Sequence, residues 1–231
     1  MIDRPLLAVG TPIHLDGYRG KLPAEHTPWL HAALTAAHGL GHQPPGGVGA
    51  MRPTWSLLPH DCDSGWAAVW WDPADGLRLS GTSRPSRVGR RECVLRLGLP
   101  TRIHPPHQRG HGWHHLQIRA TTPVSVARTG RDGRRDERPL PTSEALMHSL
   151  HGLSRKLRWY QGPAVELEIL RYQVRSSAVC LRGKAGRVGG WVGEVDLRAS
   201  ASAAWLLEAA GRGLGLGSRT SYGLGRVHVQ A

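Results

Sequence analysis

The order of strand-like and helix-like segments constrains this chain more than any other feature, because nearly the same order runs through it twice. Residues 5–15 (PLLAVGTPIHL) alternate as a strand, and the polar turn DGYRGK follows. Residues 25–39 read as a helix: Thr27 caps it, Pro28 fits its first turn and Gly39 stops it. Trp29, Ala33 and Ala36, with Leu30, Leu34 and Ala37, form its apolar stripes. After the Gly/Pro-rich stretch GLGHQPPGGVGA, RPTWSLLPH and GWAAVWWDPADGLRLSG read as strands, with DPADG as a turn inside the second. A second helix has its place at residues 83–92 (SRPSRVGRRE), although helix propensity there is poor, and CVLRLGL is a further strand.

The second half echoes the first. HLQIRATTPVSVAR alternates as a long strand, and TGRDGRRDERPLP is a charged loop. TSEALMHSLHGLSRKLRW is the clearest helix, with a Thr/Ser cap, Glu144 in its first turn and basic residues late. VELEILRYQV, AVCLRGKAGRVGG and WVGEVDLRA are strands, SASAAWLLEAAGRG is a short helix ended by glycine, and SYGLGRVHV is a last strand. Each half approximates strand–helix–strand–strand–helix–strand, so the expected fold is α+β: two tandem ferredoxin-like (RRM-like, βαββαβ) domains with a glycine-rich loop near the C-terminus. The basic, Pro-rich connection PTRIHPPHQRGHGWHH places the boundary between domains 1–112 and 113–231.

Charge narrows the partner. Thirty Lys and Arg against seventeen Asp and Glu leave +13, with a pI near 11.0, which points to a polyanion: nucleic acid or an anionic membrane surface. No apolar run approaches the ~20 residues that cross a bilayer. The start, MIDRPLLAVGTPIHL, carries acid and proline where a signal peptide needs an unbroken apolar core, so the expected location is the cytoplasm. Cys62, Cys93 and Cys180 have no CxxC spacing and build neither a disulfide framework nor a thiolate zinc site. His104, His107, His111, His114 and His115 lie in a run broken by Pro and Gly with no carboxylate or cysteine close by, which suits a basic linker or RNA-contacting loop better than a metal site.

The most specific string is GRGLGLGSRTSYGLGRVHV, residues 211–229. Glycines at 211, 213, 215, 217, 223 and 225 surround Arg212, Arg219 and Arg226. Such a loop can offer backbone N–H groups to phosphate with arginines beside them, or it can be a turn that lets a helix and a strand pack closely. Spacing alone weighs the two equally. It is neither a dinucleotide fingerprint nor a Walker loop, since the glycines follow a helix and no Gly-Lys-Ser/Thr closes them.

A C-terminal helix followed by GLGLGSRTSYGLGRV entering a last strand resembles the glycine-rich signature of the RAMP superfamily of CRISPR-associated proteins, and within it the endoribonucleases that cut precursor CRISPR RNA in its repeats. WLHAALTAAH is similar to their first helix and RPTWSLLP to the strand that follows it. TTPVSVAR with SEALMHSLHGLSRKL resembles the opening of their second domain, and WVGEVDLRA with AAWLLEAAGRGLGLG fits the approach to the glycine loop. The resemblance implies two ferredoxin-like domains and cleavage without metal or other cofactor. A 2′-hydroxyl attacks the adjacent phosphate and leaves a 2′,3′-cyclic phosphate and a 5′-hydroxyl.

That chemistry needs a base, an acid and a cation, and histidine serves both proton roles because its ordinary pKa of ≈ 6.5 lies near working pH. In the family the catalytic histidine lies at the end of the first helix or just after it. The resemblance therefore puts His42 first, His38 second and His31 third, with Arg52 assisting the phosphate. The helix tyrosine of some relatives has no counterpart at Leu34-Thr35-Ala36, and Tyr18 and Tyr222 are weak substitutes, which leaves a histidine pair or a histidine with arginine. The expected RNA-binding residues are Gly213, Gly215, Gly217, Arg212, Arg219 and Arg226 in the loop, and Arg155, Lys156 and Arg158 on the second-domain helix. Arg84, Arg87, Arg90 and Arg91 form another basic patch, and Trp113 or Trp159 could stack on a base. The partner implied is CRISPR repeat RNA, precursor and mature, with other subunits of an effector complex as further candidates and no membrane. A non-catalytic RAMP subunit gripping crRNA, and an unrelated basic RNA-binding module, are the competing readings.

Overall fold

In a computed structural model, which describes residues 6–38, 55–129, 135–138, 140–157, 160, 162–181 and 187–231, the alternating segments form antiparallel sheets flanked by helices. The chain divides into two compact units: Met1–His104 with Cys180–Gly186, and Pro105–Val179 with Arg187–Ala231.

The first unit contains β1 (Ala8–Asp16), α1 (Thr27–Ala37), β2 (Trp55–Pro59), β3 (Trp66–Trp70), α2 (Pro73–Leu79), β4 (Ser83–Val88), β5 (Arg91–Leu97) and β6 (Thr101–Ile103). Its sheet runs β2-β3-β1-β5-β4, with β6 also paired to β1. One end of β1 pairs with β5, Ile13 opposite Leu97, and the other end with β6, Ala8 opposite Ile103. The place beside β1 that one strand fills in a simple βαββαβ unit is thus shared by two, and β4 extends the sheet by one strand. Ile13, Leu15, Trp55, Leu57, Trp66, Trp70, Leu95 and Leu97 from the sheet close a core with Leu30, Ala33 and Leu34 of α1. Tryptophan fills the volume of the missing phenylalanine, and its buried N–H groups find acceptors. The Trp66 indole donates to the Leu22 carbonyl at 2.8 Å and the Trp70 indole to Thr11 Oγ1 at 2.9 Å.

Three expectations for secondary structure are corrected here. DPADG is not a turn inside a strand but the start of α2: Asp72 caps it by accepting from the Ala74 N–H at 2.9 Å, and Pro73 sits in its first turn. A Cβ on Gly76 would lie 2.5 Å from Val9 Cβ, so the glycine that looked like a turn residue is what lets α2 settle onto β1. Residues 83–92 do not hold a helix; they form β4 and the turn into β5, with Pro85 tolerated because β4 is the sheet edge. Thr27 is the first residue of α1 and not its cap; its hydroxyl donates to the Ala24 carbonyl at 2.9 Å, and His26 holds the cap position.

The second unit contains β7 (Trp113–Val124), β8 (Val126–Thr129), β9 (Arg135–Arg138), α3 (Ser143–Lys156), β10 (Leu167–Cys180), β11 (Arg187–Ser200), α4 (Ala201–Ala209) and β12 (Val227–Gln230). Its main sheet runs β10-β11-β7-β12, the ferredoxin-like order, and β8 with β9 is a hairpin inserted before α3. The charged segment expected to be only a loop therefore contributes a strand, Arg135–Arg138, paired with Val126–Thr129. As expected, Thr142 caps α3, accepting from the Ala145 N–H at 3.1 Å. Leu116, Ile118 and Val124 of β7 and Val195, Leu197 and Ala199 of β11 alternate inward, against Leu146, Leu150 and Leu153 of α3 and the buried α4. Among the described residues no helix is long and apolar enough to cross a membrane.

Candidate active site and nucleic-acid interface

Helix α1 ends at His38, whose backbone N–H donates to the Leu34 carbonyl at 3.2 Å. Its imidazole is half-buried, and Nε2 has no hydrogen-bond partner. Burial pushes its pKa below the ordinary 6.5, and the guanidinium groups of Arg84 on β4 and Arg78 on α2 push it further the same way. Arg78 is held by Asp75 one turn back at 2.8 Å. The end of α1 thus carries a half-buried imidazole on which two arginine charges act, one of them already paired with an acid.

His31, one further candidate, is 5% exposed and stacks on Trp55 with ring centroids 4.8 Å apart, so it packs in the core of the first unit. His42 and Arg52 lie outside the described residues. Nothing in the sequence singles out Arg78, whose segment reads as a turn, and Arg84 stands there as part of a basic RNA-attracting patch without a link to His38. The usable signal was the Asp72-Pro73 pair, which marks a helix start.

In the second unit, α4 passes into a π turn, Ala210–Leu214, broken at Gly213 with φ 123°. Gly215, Gly217, Gly223 and Gly225 all have φ between 74° and 88°, and Arg219 is the one non-glycine residue with positive φ among those described. Many of the loop's N–H groups are spent inside the protein. Gly215 donates to the Ala210 carbonyl, Leu216 to Gly225, Ser218 to Ser125 and Gly225 to Pro123, at 2.7–3.0 Å. A Cβ on Gly225 would fall 2.0 Å from the Leu216 carbonyl oxygen, and one on Gly217 2.5 Å from that of Ser125. Close packing of helix and strand therefore accounts for Gly215, Gly217 and Gly225.

The arginines stand differently: Arg212 is exposed, and Arg219 and Arg226 are half-buried at the loop surface. The Gly217 N–H donates to Ser149 Oγ at 2.7 Å, which ties the loop to α3, the helix whose last turn carries Arg155 and Lys156. Arg155 is exposed, its Nε donating to the His151 carbonyl at 3.2 Å. Arg158 and Trp159 lie outside the described residues. Trp113 is 49% exposed with the Arg198 guanidinium 5.2 Å above its ring. Among the described residues no three His, Cys, Asp or Glu side chains are grouped to hold a metal ion.

Residues 118–227 match the family described as CRISPR-associated endoribonuclease Cas6. No curated protein matches the chain in sequence. Among solved structures, a Cas6 (TTHB231) product complex is similar with a TM-score of 0.63 and 19% identity, covering 96% of this chain and 99% of that one; this Cas6 is from Thermus thermophilus. A Cas6 (TTHA0078) product complex follows with a TM-score of 0.57, 17% identity and coverage of 98% and 100%. A RAMP protein binding different RNA substrates has a TM-score of 0.56 at 12% identity, with 97% and 99% covered. At these identities the structures establish the fold, two ferredoxin-like domains in tandem, and they do so over almost the full length. The resemblance read from the glycine-rich C-terminus thus holds: the chain carries the Cas6 endoribonuclease match over residues 118–227 on the fold of Cas6 proteins.

Proposed function

We propose that the protein is an endoribonuclease that cleaves precursor CRISPR RNA within its repeats, without a metal ion, by attack of a 2′-hydroxyl on the adjacent phosphate. The observation that carries this reading is the Cas6 endoribonuclease match over residues 118–227 on a Cas6 fold that covers 96% of the chain, with His38 at the end of α1. His42 and His38 share the two proton transfers, one taking the proton of the 2′-hydroxyl and the other giving one to the departing 5′-oxygen. Arg84 and Arg78, with Arg52, neutralise charge on the five-coordinate phosphorus, where a fixed donor contributes about 10²–10³ in rate. Arg212, Arg219 and Arg226 with Arg155, Lys156 and Arg158 hold the RNA backbone by side chain, and Gly213, Gly215 and Gly217 shape the loop that presents them.

Incubating the protein with synthetic repeat RNA in EDTA tests the proposal. Cleavage persists in chelator, the products end in a cyclic phosphate and a 5′-hydroxyl, and His42→Ala or His38→Ala lowers the single-turnover rate by about 10²-fold or more with binding retained. Failure to cut any repeat from the same genome, with tight binding, would favour the non-catalytic RAMP subunit instead.

A further inference from the structure

The β4–β5 hairpin adds a strand beyond the four positions of a ferredoxin-like sheet, and it carries Arg84, Arg87, Arg90 and Arg91. It is fixed in place. β4 packs along α1, Val88 is 1% exposed, and a Cβ on Gly89 (φ 63°) would lie 2.9 Å from Trp29 Cε3, so the turn rests on an indole near the start of α1. Arg84 sits at the other end of β4, where its charge acts on His38 at the end of α1.

Register sorts the arginines between faces. Arg84 is opposite Leu95, which is fully buried toward the helices, whereas Arg87 is opposite the exposed Glu92. Arg87 therefore stands on the face away from α1, about 10 Å along the strand from Arg84, and Arg90 lies at the turn. Elsewhere in the unit four acids have basic partners: Asp16 with Arg96, Asp61 with Lys21, Asp63 with His14 and Asp75 with Arg78, at 3.4, 3.0, 2.8 and 2.8 Å. Arg84, Arg87 and Arg90 form no ion pair among the described residues. Arg91 is committed to the Tyr18 ring, 5.4 Å away. The pinned hairpin thus offers guanidinium groups without an ion partner on both of its faces, Arg84 on the α1 side and Arg87 on the other, with Arg90 at the turn, so the three stand differently relative to His38.

We propose that this hairpin separates RNA cleavage from RNA affinity: Arg84 holds the phosphate beside His38, while Arg87 and Arg90 hold backbone phosphates away from it and serve binding alone. The proposal rests on the endoribonuclease reading only for its rate component.

The experiment uses the full chain, a repeat RNA oligonucleotide and a uridine homopolymer of equal length, with melting curves to confirm folding. Arg84→Gln lowers the single-turnover rate at saturating repeat RNA by about 10²-fold and changes Kd by less than about 3-fold, and Arg84→Lys restores part of the rate. The Arg87→Gln/Arg90→Gln double variant leaves that rate unchanged, weakens binding to both RNAs, and reduces the slope of log K against log salt by about 1.5. A saturated rate insensitive to Arg84→Gln, or an unchanged salt slope in the double variant, overturns the proposal. If the unsubstituted chain binds and never cuts, the endoribonuclease reading and Arg84's assigned role fall together, while the salt slope still decides the hairpin's part in binding.

Discussion

Replacing Gly225 by alanine separates the two explanations of the glycine-rich loop. Gly225 has φ 74°, its N–H donates to the Pro123 carbonyl at 2.9 Å and its carbonyl accepts from Leu216 at 2.8 Å. An added Cβ would lie 2.0 Å from the Leu216 carbonyl oxygen, which is backbone and cannot swing away. The left-handed conformation costs about 1 kcal/mol for a residue with a Cβ, the forced shift about 1–3, and the weakened hydrogen bond about 1, giving about 3–5 kcal/mol in all. At about 2–4 °C per kcal/mol for a chain of this size, melting falls by roughly 6–20 °C. Gly20 is the internal control: its φ is 83° but a Cβ there meets nothing within 4 Å, so Gly20→Ala carries the conformational cost alone, about 1 kcal/mol. Calorimetry or urea unfolding of both variants, with RNA binding by filter retention, reads the difference. A Gly225→Ala protein that melts within a degree or two of the Gly20→Ala protein, yet loses RNA affinity, would refute the packing explanation and return the loop's backbone to direct phosphate contact.

Three further outcomes follow from the geometry. Because the folded protein binds a proton at His38 less readily than the unfolded chain does, stability falls as pH drops below about 6.5; His38→Ala flattens that slope, and Arg84→Gln moves the imidazole pKa up part of the way to 6.5, both checked by unfolding and by NMR titration. Gly76→Ala destabilises by about 2 kcal/mol despite alanine's better helix propensity, because the methyl collides with Val9 2.5 Å away, and urea unfolding measures it. An aromatic disulfide reagent at pH 8 modifies the exposed Cys180 well before the buried Cys93, whose thiol pKa is raised by burial; mass mapping showing Cys93 labelled first would contradict this.

The elements that sequence made readable are those whose own periodicity decides them. The alternation of β7 and β11 and the Thr142 cap of α3 appear where the pattern put them, as does the Leu30–Ala33–Leu34 face of α1, although Ala36 of the expected stripe is exposed. The misread elements are short or carry mixed signals. Asp72-Pro73-Ala74-Asp75-Gly76 has the composition of a turn, yet Asp72 caps and Pro73 opens a helix, which docks on β1 because Gly76 carries no Cβ to meet Val9 and Trp70. Residues 83–92 have charge without apolar periodicity, and they become a strand because β5 offers an edge to pair with. At the candidate site, a histidine at the end of the first helix could be named from motif, but the cations that tune it could not, since Arg78 and Arg84 lie 40 and 46 residues further along the chain.

Sequence by itself determined the βαββαβ order, the strong positive charge and the glycine positions, because these depend on neighbours a few residues away and on composition. Tertiary structure alone decided what the glycines do and which arginines meet the imidazole. A backbone N–H is either spent on a distant carbonyl or left for a ligand, and a charge shifts a pKa only when folding brings it near. Both are properties of distance in space, which local pattern does not encode.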